Sequence, residues 1–292
     1  MIRHLVRQAD SILIFRLYLF PALIQFINVN PDLKKIAIDM DDAETDTFRQ
    51  ISDQEWQRGE YKKWIINRLG SYYLNYYEKH IPERVNTIYY SHPQDVIKYQ
   101  SVYKNKKVLL HGNKAPYNSW DESWMYKDQN TILFVGSLNY YPNEDAVHYL
   151  INEIWPLIQD KMSNTKLIIA GSKPGKSIRN LIGRNQSITL IENPAFIKDV
   201  FDMAAVLIVP LRAAGGTRIK VLQSFSYGVP VVSTSIGISG IEIKHGETGL
   251  IGNDASELAA CCLDLLQNPA MRKNIAMNAH TLYTDHYSFR LV

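Results

Sequence analysis

The sequence is poor in cysteine. Its 292 residues hold two, Cys261 and Cys262, and they are neighbours. Adjacent thiols cannot tie distant segments together, so a disulfide framework is excluded and a reducing compartment is expected. Neither sign of charge dominates: 32 Lys and Arg stand against 29 Asp and Glu, a net charge of +3. That balance gives no reason to expect nucleic acid, and leaves a weak attraction to an anionic membrane surface. Long apolar runs are missing too. The longest, Ser11-Ile-Leu-Ile-Phe15 continued by Leu17-Tyr-Leu-Phe-Pro-Ala-Leu-Ile24, is interrupted by Arg16. A charge at that depth is costly in lipid, so the run reads as a buried strand and a core helix rather than a membrane span. Gln25-Phe-Ile-Asn28 supplies no small-residue cleavage site, so no secretory leader is expected. There is no G-x-S-x-G nucleophile elbow and no Cys/His set with zinc spacing. His92, His111, His148 and His245 are scattered and read as surface or core histidines.

What is present is an ordinary globular composition, 46% hydrophobic and 21% charged, in a length that suits two domains. Short β-rich runs occur at Ile12–Phe15, Lys35–Asp39, Thr87–Ser91, Lys107–His111, Thr131–Gly136, Lys166–Gly171, Ser187–Glu192, Ala205–Pro210 and Val229–Thr234. Helical patterns fill most of the intervals. The alternation predicts an α/β fold with parallel sheets, and the near-continuous Ile, Leu and Val predict strands covered on both faces. Asn143 is a candidate helix cap, with Glu144 and Asp145 in the first turn and Val147, Leu150, Ile151, Ile154 and Ile158 at helical spacing. Pro156 predicts a kink near Trp155. From Glu44 to Lys79 the pattern is amphipathic and aromatic. Its rings, including Trp56, Tyr61, Trp64, Tyr72, Tyr73 and Tyr76, read as the cover of a core edge rather than a ligand-stacking surface. Turn residues between His111 and Thr131 set a domain boundary, giving domains 1–115 and 116–292.

Three segments carry possible phosphate or metal chemistry. Ala170-Gly-Ser-Lys-Pro-Gly175-Lys176-Ser177 is a relaxed P-loop pattern between a strand and a helix. Pro174 removes one of the N–H groups such a cradle uses, and no downstream strand ends in the Asp that should accompany it. Asp39-Met-Asp41 at a strand end has the spacing of a cation-holding carboxylate pair, although Glu44 and Asp46 also make it read as an acidic helix start. The most specific is Val206-Leu-Ile-Val209-Pro-Leu-Arg212-Ala-Ala-Gly215-Gly216-Thr217-Arg218-Ile-Lys220-Val-Leu-Gln223, followed by Gly228-Val-Pro230. It reads as strand, glycine loop, helix, turn, strand. The glycines let backbone N–H groups approach a diphosphate, and the helix N-terminus adds its dipole.

With Gly237-Ile-Ser-Gly240-Ile241-Glu242 and His245-Gly246-Glu-Thr-Gly249 added, residues from about 131 to 288 resemble the C-terminal domain of the family 4 retaining glycosyltransferases. Phe134-Val-Gly136-Ser137-Leu-Asn-Tyr-Tyr-Pro142 is similar to a subgroup of bacterial polysaccharide assembly. Phe15-Arg16 and Ile38-Asp-Met-Asp-Asp42 resemble the second half of the family's N-terminal domain. The resemblance implies a GT-B fold of two Rossmann-like domains, the first lacking its opening strands. It implies that the loop Gly215-Gly216-Thr217 cradles the donor diphosphate and that Arg218 and Lys220 neutralise it as the glycosidic bond breaks. It further implies that Gly136, Ser137, Gln223, Ile241 and Glu242 complete the donor site. No metal and no cofactor are implied, which demotes Asp39 and Asp41. Two family glutamates fall at Gly215 and Gln223; the loss of charge at Gln223 is worth about 1–2 kcal/mol of ribose binding.

The expected activity is sugar transfer from a nucleotide sugar, with retention, to a glycan or lipid-linked acceptor in cell-surface polysaccharide synthesis. The expected place is the cytoplasm, with peripheral contact on the inner membrane face. The runner-up is a truncated homologue that binds nucleotide sugar or a partner without turnover, and the third reading is a P-loop protein. Self-association through the N-terminal region is expected from the unpaired edge of the strand at Ile12.

Overall fold

In the computed structural model, residues 2–27, 35–41, 43–57, 59–116, 130–213 and 218–289 are described. Within them every strand expected from the sequence forms, and the chain divides into two units, one ending at Asn113 and one starting at Lys114.

The first unit holds strands β1 (Ser11–Phe15), β2 (Lys35–Asp39), β3 (Val85–Tyr90) and β4 (Lys107–Leu110). They form a parallel sheet in the order β1-β2-β3-β4, so β1 lies at an edge. Helices α1 (Ile2–Gln8), α2 (Phe20–Ile27), α3 (Glu44–Gln57), α4 (Tyr61–Lys79) and α5 (Pro93–Val102) accompany it. Its core contains Ile14, Ile36, Ile38, Ile88, Tyr90 and Val108 on one sheet face. The other face is open: Leu13, Phe15 and Leu109 are exposed. This corrects the expectation of strands covered on both faces, because among the described residues the helices of this unit do not cover both. A hollow of about 690 Å³ lies over that open face, lined by Ile12, Ala37, Thr87, Tyr89 and Lys107 among others.

The aromatic segment is also corrected. Helix α4 turns Ser71, Leu74 and Glu78 inward, while Tyr61, Tyr72, Tyr73 and Tyr76 stay exposed. The inner side of the α3–α4 hairpin is already filled. Phe48 lies against Gly70, Asn67 donates to Glu55 at 2.8 Å, and Ser71 donates to the Thr45 carbonyl at 3.1 Å. The carboxylate pair is occupied as well. Arg16 bridges Asp41 and Glu44, and His111 Nδ1 lies 3.0 Å from Asp39.

The second unit holds β5 (Ala115–Pro116), β6 (Thr131–Val135), β7 (Lys166–Gly171), β8 (Ile188–Glu192), β9 (Val206–Val209), β10 (Val231–Ser233), β11 (Leu250–Ile251) and β12 (Ser288–Phe289). Six of them make a parallel sheet in the order β11-β10-β9-β6-β7-β8, and β5 pairs with β12. Here both faces are covered: every residue of β6, β9 and β10 is buried. The helices are α6 (Tyr141–Tyr149), α7 (Trp155–Lys161), α8 (Lys176–Ile182), α9 (Ile197–Phe201), α10 (Ile219–Ser226), α11 (Ala255–Gln267) and α12 (Pro269–His286). On α11, Leu258, Cys262 and Leu265 are fully buried; each such leucine contributes about 1.5–3 kcal/mol of apolar burial. A π-turn at Leu150–Ile154 joins α6 to α7, and Pro156 is the second residue of α7. The helix changes its winding at Trp155, but Ile154 and Trp155 keep helical backbone angles, so the expected interruption takes the form of a π-bulge rather than a break. Asn143 is not the cap of α6; Tyr140 holds that position and Asn143 lies one turn in. No helix among the described residues is long and apolar enough to cross a membrane.

Candidate nucleotide-sugar site

The second sheet reverses its order at β6: β7 and β8 lie to one side, β9 to β11 to the other. A doubly wound sheet places ligands outside the carboxyl ends of its strands at such a point. A cavity of about 480 Å³ lies there, lined by Gly136, Ser137, Gly171, Asn193, Lys220 and Gln223 among others. Gly136, Gly171 and Asn193 stand at the carboxyl ends of β6, β7 and β8.

Two glycines are required by close approach. A Cβ on Gly171 would lie 1.8 Å from the Gly136 carbonyl oxygen, and one on Gly136 would lie 2.8 Å from the Asn143 side chain. Their absence lets β6, β7 and α6 converge at the rim of the cavity. Asn143 then links both sides of it. It donates to the Ser137 carbonyl at 3.0 Å and accepts from Lys220 Nζ at 2.7 Å.

Helix α10 brings the cations. Its short amphipathic stretch buries Val221, Leu222 and Phe225, and Gly228, at φ 71, closes it. Arg218 caps its N-terminus, buried, with Nη2 3.4 Å from the Ile236 carbonyl. Lys220 lies 4.7 Å from the Phe134 ring centre. Burial, then the neighbouring Arg218 charge, pulls its ammonium down to about 7 from the ordinary 10.5. Lys220 thus lines the cavity, and Arg218, two residues before it at the start of α10, adds a second positive charge nearby, an arrangement suited to an anionic ligand. Gln223 follows one turn later in the same lining.

The structure brings together Gly136, Ser137, Lys220 and Gln223, with Arg218 beside them. Gly215, Gly216 and Thr217 lie outside the described residues. Ile241 packs in the core, and the Glu242 amide donates to the Tyr287 hydroxyl at 3.1 Å; neither lines this cavity. Gly171 and Ser172, from the P-loop-like stretch, line the same cavity as Lys220.

Sequence reasoning missed two features. Asn143, read as a cap, is a partner of Lys220. Arg212 forks onto Asp145, with contacts of 2.6 and 3.1 Å, and lies 4.5 Å from the Tyr149 ring centre. Asp145 is 1% exposed, so this pair anchors α6 to the start of the loop that leads to Arg218. The acidic first turn was visible in the sequence, but its partner lies 67 residues away.

Comparison with known proteins agrees with this geometry. Residues 129–268 match the family model of group 1 glycosyl transferases. An uncharacterized protein of the cps region of Klebsiella pneumoniae is 29% identical over 168 residues, 55% of this chain and 43% of that one. An exopolysaccharide phosphotransferase of Streptomyces coelicolor is 30% identical over 122 residues, 39% of this chain and 13% of that one. The chain thus spans less than half the length of these curated relatives. Among solved structures, a Staphylococcus aureus TarM variant in complex with Fondaparinux, alpha-GlcNAc-glycerol and UDP has a TM-score of 0.74 at 11% identity, over 98% of this chain and 55% of that one. Anabaena HepE in complex with UDP and glucose has a TM-score of 0.69 at 13% identity, over 98% and 76%. Sucrose-phosphate synthase of Thermosynechococcus elongatus has a TM-score of 0.71 at 16% identity, over 96% and 70%. These likenesses show the fold: two parallel α/β sheets of the GT-B type. Over residues 129–268 the chain is thus similar to the group 1 glycosyl transferases.

Proposed function

We propose that the chain binds a nucleotide sugar in the cavity beside α10 and transfers the sugar, with retention, to a glycan or lipid-linked acceptor in polysaccharide synthesis. The observation that carries this reading is the placement of Lys220 and Gln223 of α10 in the lining of a cavity at the carboxyl ends of β6 to β8, with Arg218 at the start of the same helix. UDP in the TarM and HepE complexes and the cps setting of the Klebsiella relative support it.

The chemistry asked of these residues is electrostatic. As the bond from the sugar carbon to the diphosphate breaks, negative charge grows on the diphosphate oxygens. Fixed cations aimed at those oxygens stabilise that charge more than the ground state and so lower the barrier. Asn143 holds the Lys220 ammonium in place. The reading needs no metal, and Asp39 and Asp41 are engaged by His111 and Arg16.

A second reading, nucleotide-sugar binding without turnover, rests on Gln223 in place of a ribose-binding carboxylate. Calorimetric titration with UDP, with and without magnesium, tests the site; release of UDP from UDP-sugars then tests turnover. Magnesium-independent binding with turnover supports transfer, and binding without turnover supports the second reading. Strict magnesium dependence would return the P-loop reading to favour.

A further inference from the structure

Helix α4 presents an unusual outer face. On a helix that packs one side against its protein, the opposite side is ordinarily polar. Helix α11 follows that rule: its outward residues are Ser256, Glu257, Ala260, Asp264 and Gln267. On α4 the outward stripe is instead Ile65, Ile66, Leu69, Tyr72, Tyr73 and Tyr76, each about half exposed or more; Ile66 reaches 68% and Leu69 63%. Their spacing of three and four residues keeps them on one face. The packing of α3 does not account for them, since that contact uses Asn67, Gly70 and Ser71 on the opposite side.

The ends of the stripe are cationic. Lys62 and Lys79 lie on the same face at its two ends, both exposed, about 25 Å apart along the axis. The acid of α4, Glu78, is turned inward and buried. An apolar stripe with tyrosines and terminal lysines matches a membrane interface. Aliphatic side chains enter the acyl boundary, tyrosine hydroxyls and lysine ammoniums stay among the headgroups, and anionic headgroups complement the lysines. A second copy of the chain fits the face less well. Laid antiparallel, it sets Lys62 against Lys79, and laid parallel it sets each lysine against itself. Either arrangement also closes the tyrosine hydroxyls into a dry seam.

We propose that α4 docks this unit in the plane of an anionic lipid surface, through the Ile65–Tyr76 stripe and the flanking Lys62 and Lys79. The inference is independent of the donor site.

The test is flotation of the full chain with phosphatidylcholine vesicles, with and without phosphatidylglycerol. Wild type is expected to float with the mixed vesicles, with a blue shift of tryptophan emission from Trp56 and Trp64. Leu69→Asp and Tyr72→Asp are expected to lower partitioning about tenfold each. Lys62→Gln with Lys79→Gln is expected to remove the preference for phosphatidylglycerol and leave a weaker, salt-insensitive remainder. These positions are exposed, so thermal melts should match wild type; Tyr72→Ser supplies a milder variant should an aspartate disturb the helix. Failure of wild type to float overturns the proposal, as does undiminished flotation of folded Leu69→Asp. A concentration-dependent dimer lost in Leu69→Asp, without vesicle binding, would give the face to a second copy instead.

Discussion

Lys220 donates its ammonium to the side-chain oxygen of Asn143 at 2.7 Å, across 77 residues of sequence. This contact ties the first turn of α10 to the first turn of α6 at the rim of the cavity. Lys220 also titrates unusually. Burial lowers its folded value to about 7, below the 10.5 of an ordinary lysine. Between those values the unfolded chain binds the proton and the folded chain does not. The stability penalty is therefore complete below about pH 7 and is relieved as pH rises toward 10.5. A diphosphate reverses the local balance by favouring the charged amine. UDP binding above neutral pH should then take up a proton. Calorimetry in buffers of different ionisation enthalpy measures that uptake. It should be present in wild type and absent in Lys220→Met; equal uptake in both would remove Lys220 from the ligand.

Arg218 and Lys176 separate the two phosphate readings. Arg218 caps α10 beside the cavity, whereas Lys176 starts α8 and is exposed. Arg218→Ala should weaken UDP binding by about 1.5–3 kcal/mol, the range for a charge-assisted contact. Lys176→Ala should leave it within a few tenths of a kcal/mol, the typical effect of an exposed substitution. The reverse order in a titration would move the diphosphate to the β7–α8 turn.

Much of this arrangement was legible in the sequence, because strands and glycine turns are written in local pattern. Runs such as Thr131-Ile-Leu-Phe-Val135 have β-branched residues at strand length, and all of that run is buried. The limit of the pattern shows at Lys107-Val-Leu-Leu110. It reads much the same, yet Leu109 is exposed, since local composition does not record whether a helix covers a sheet face. Asn143 illustrates the same limit at the site. Its position before an acidic turn reads as a cap, and only the fold brings Lys220 to it.

Gln223 tests the nucleoside end of the cavity. It lies in the lining one turn beyond Lys220, and an amide offers one acceptor oxygen where a carboxylate offers two charged ones. Gln223→Glu should tighten UDP-sugar binding by about 1–2 kcal/mol, or raise the rate of UDP release. A variant unchanged in both would place position 223 away from the ribose.

The Asp145–Arg212 pair should matter chiefly for stability. Asp145 is 1% exposed and Arg212 39%, so losing the arginine removes its countercharge from a buried carboxylate. A fully buried pair broken at one partner costs about 3–5 kcal/mol, and the exposure of Arg212 reduces the expectation for Arg212→Ala to about 2–3 kcal/mol. Asp145→Asn should cost less, since an amide needs no countercharge. Urea denaturation of both variants measures this order, and a milder effect of Arg212→Ala would mean that the pair does not anchor the turn.

The edge of the first sheet gives the last prediction. Strand β1 pairs with β2 on one side, and its other side is an edge of the sheet. Leu13 and Phe15 are also more than half exposed on it. A parallel sheet is stable when both faces are covered, and an apolar edge strand offers unpaired N–H and C=O groups to any matching strand. The chain should therefore self-associate through residues 1–40, with a scattering mass that rises with concentration. Leu13→Lys places a charge on the open face beside that edge and should return the protein toward a monomer, while UDP affinity, set by α10 and the strand ends of the second unit, stays unchanged. Light scattering and UDP titration of the same sample separate the two effects. A wild-type monomer at every concentration would mean that the edge is protected, and loss of UDP binding in Leu13→Lys would mean that the two units are not energetically independent.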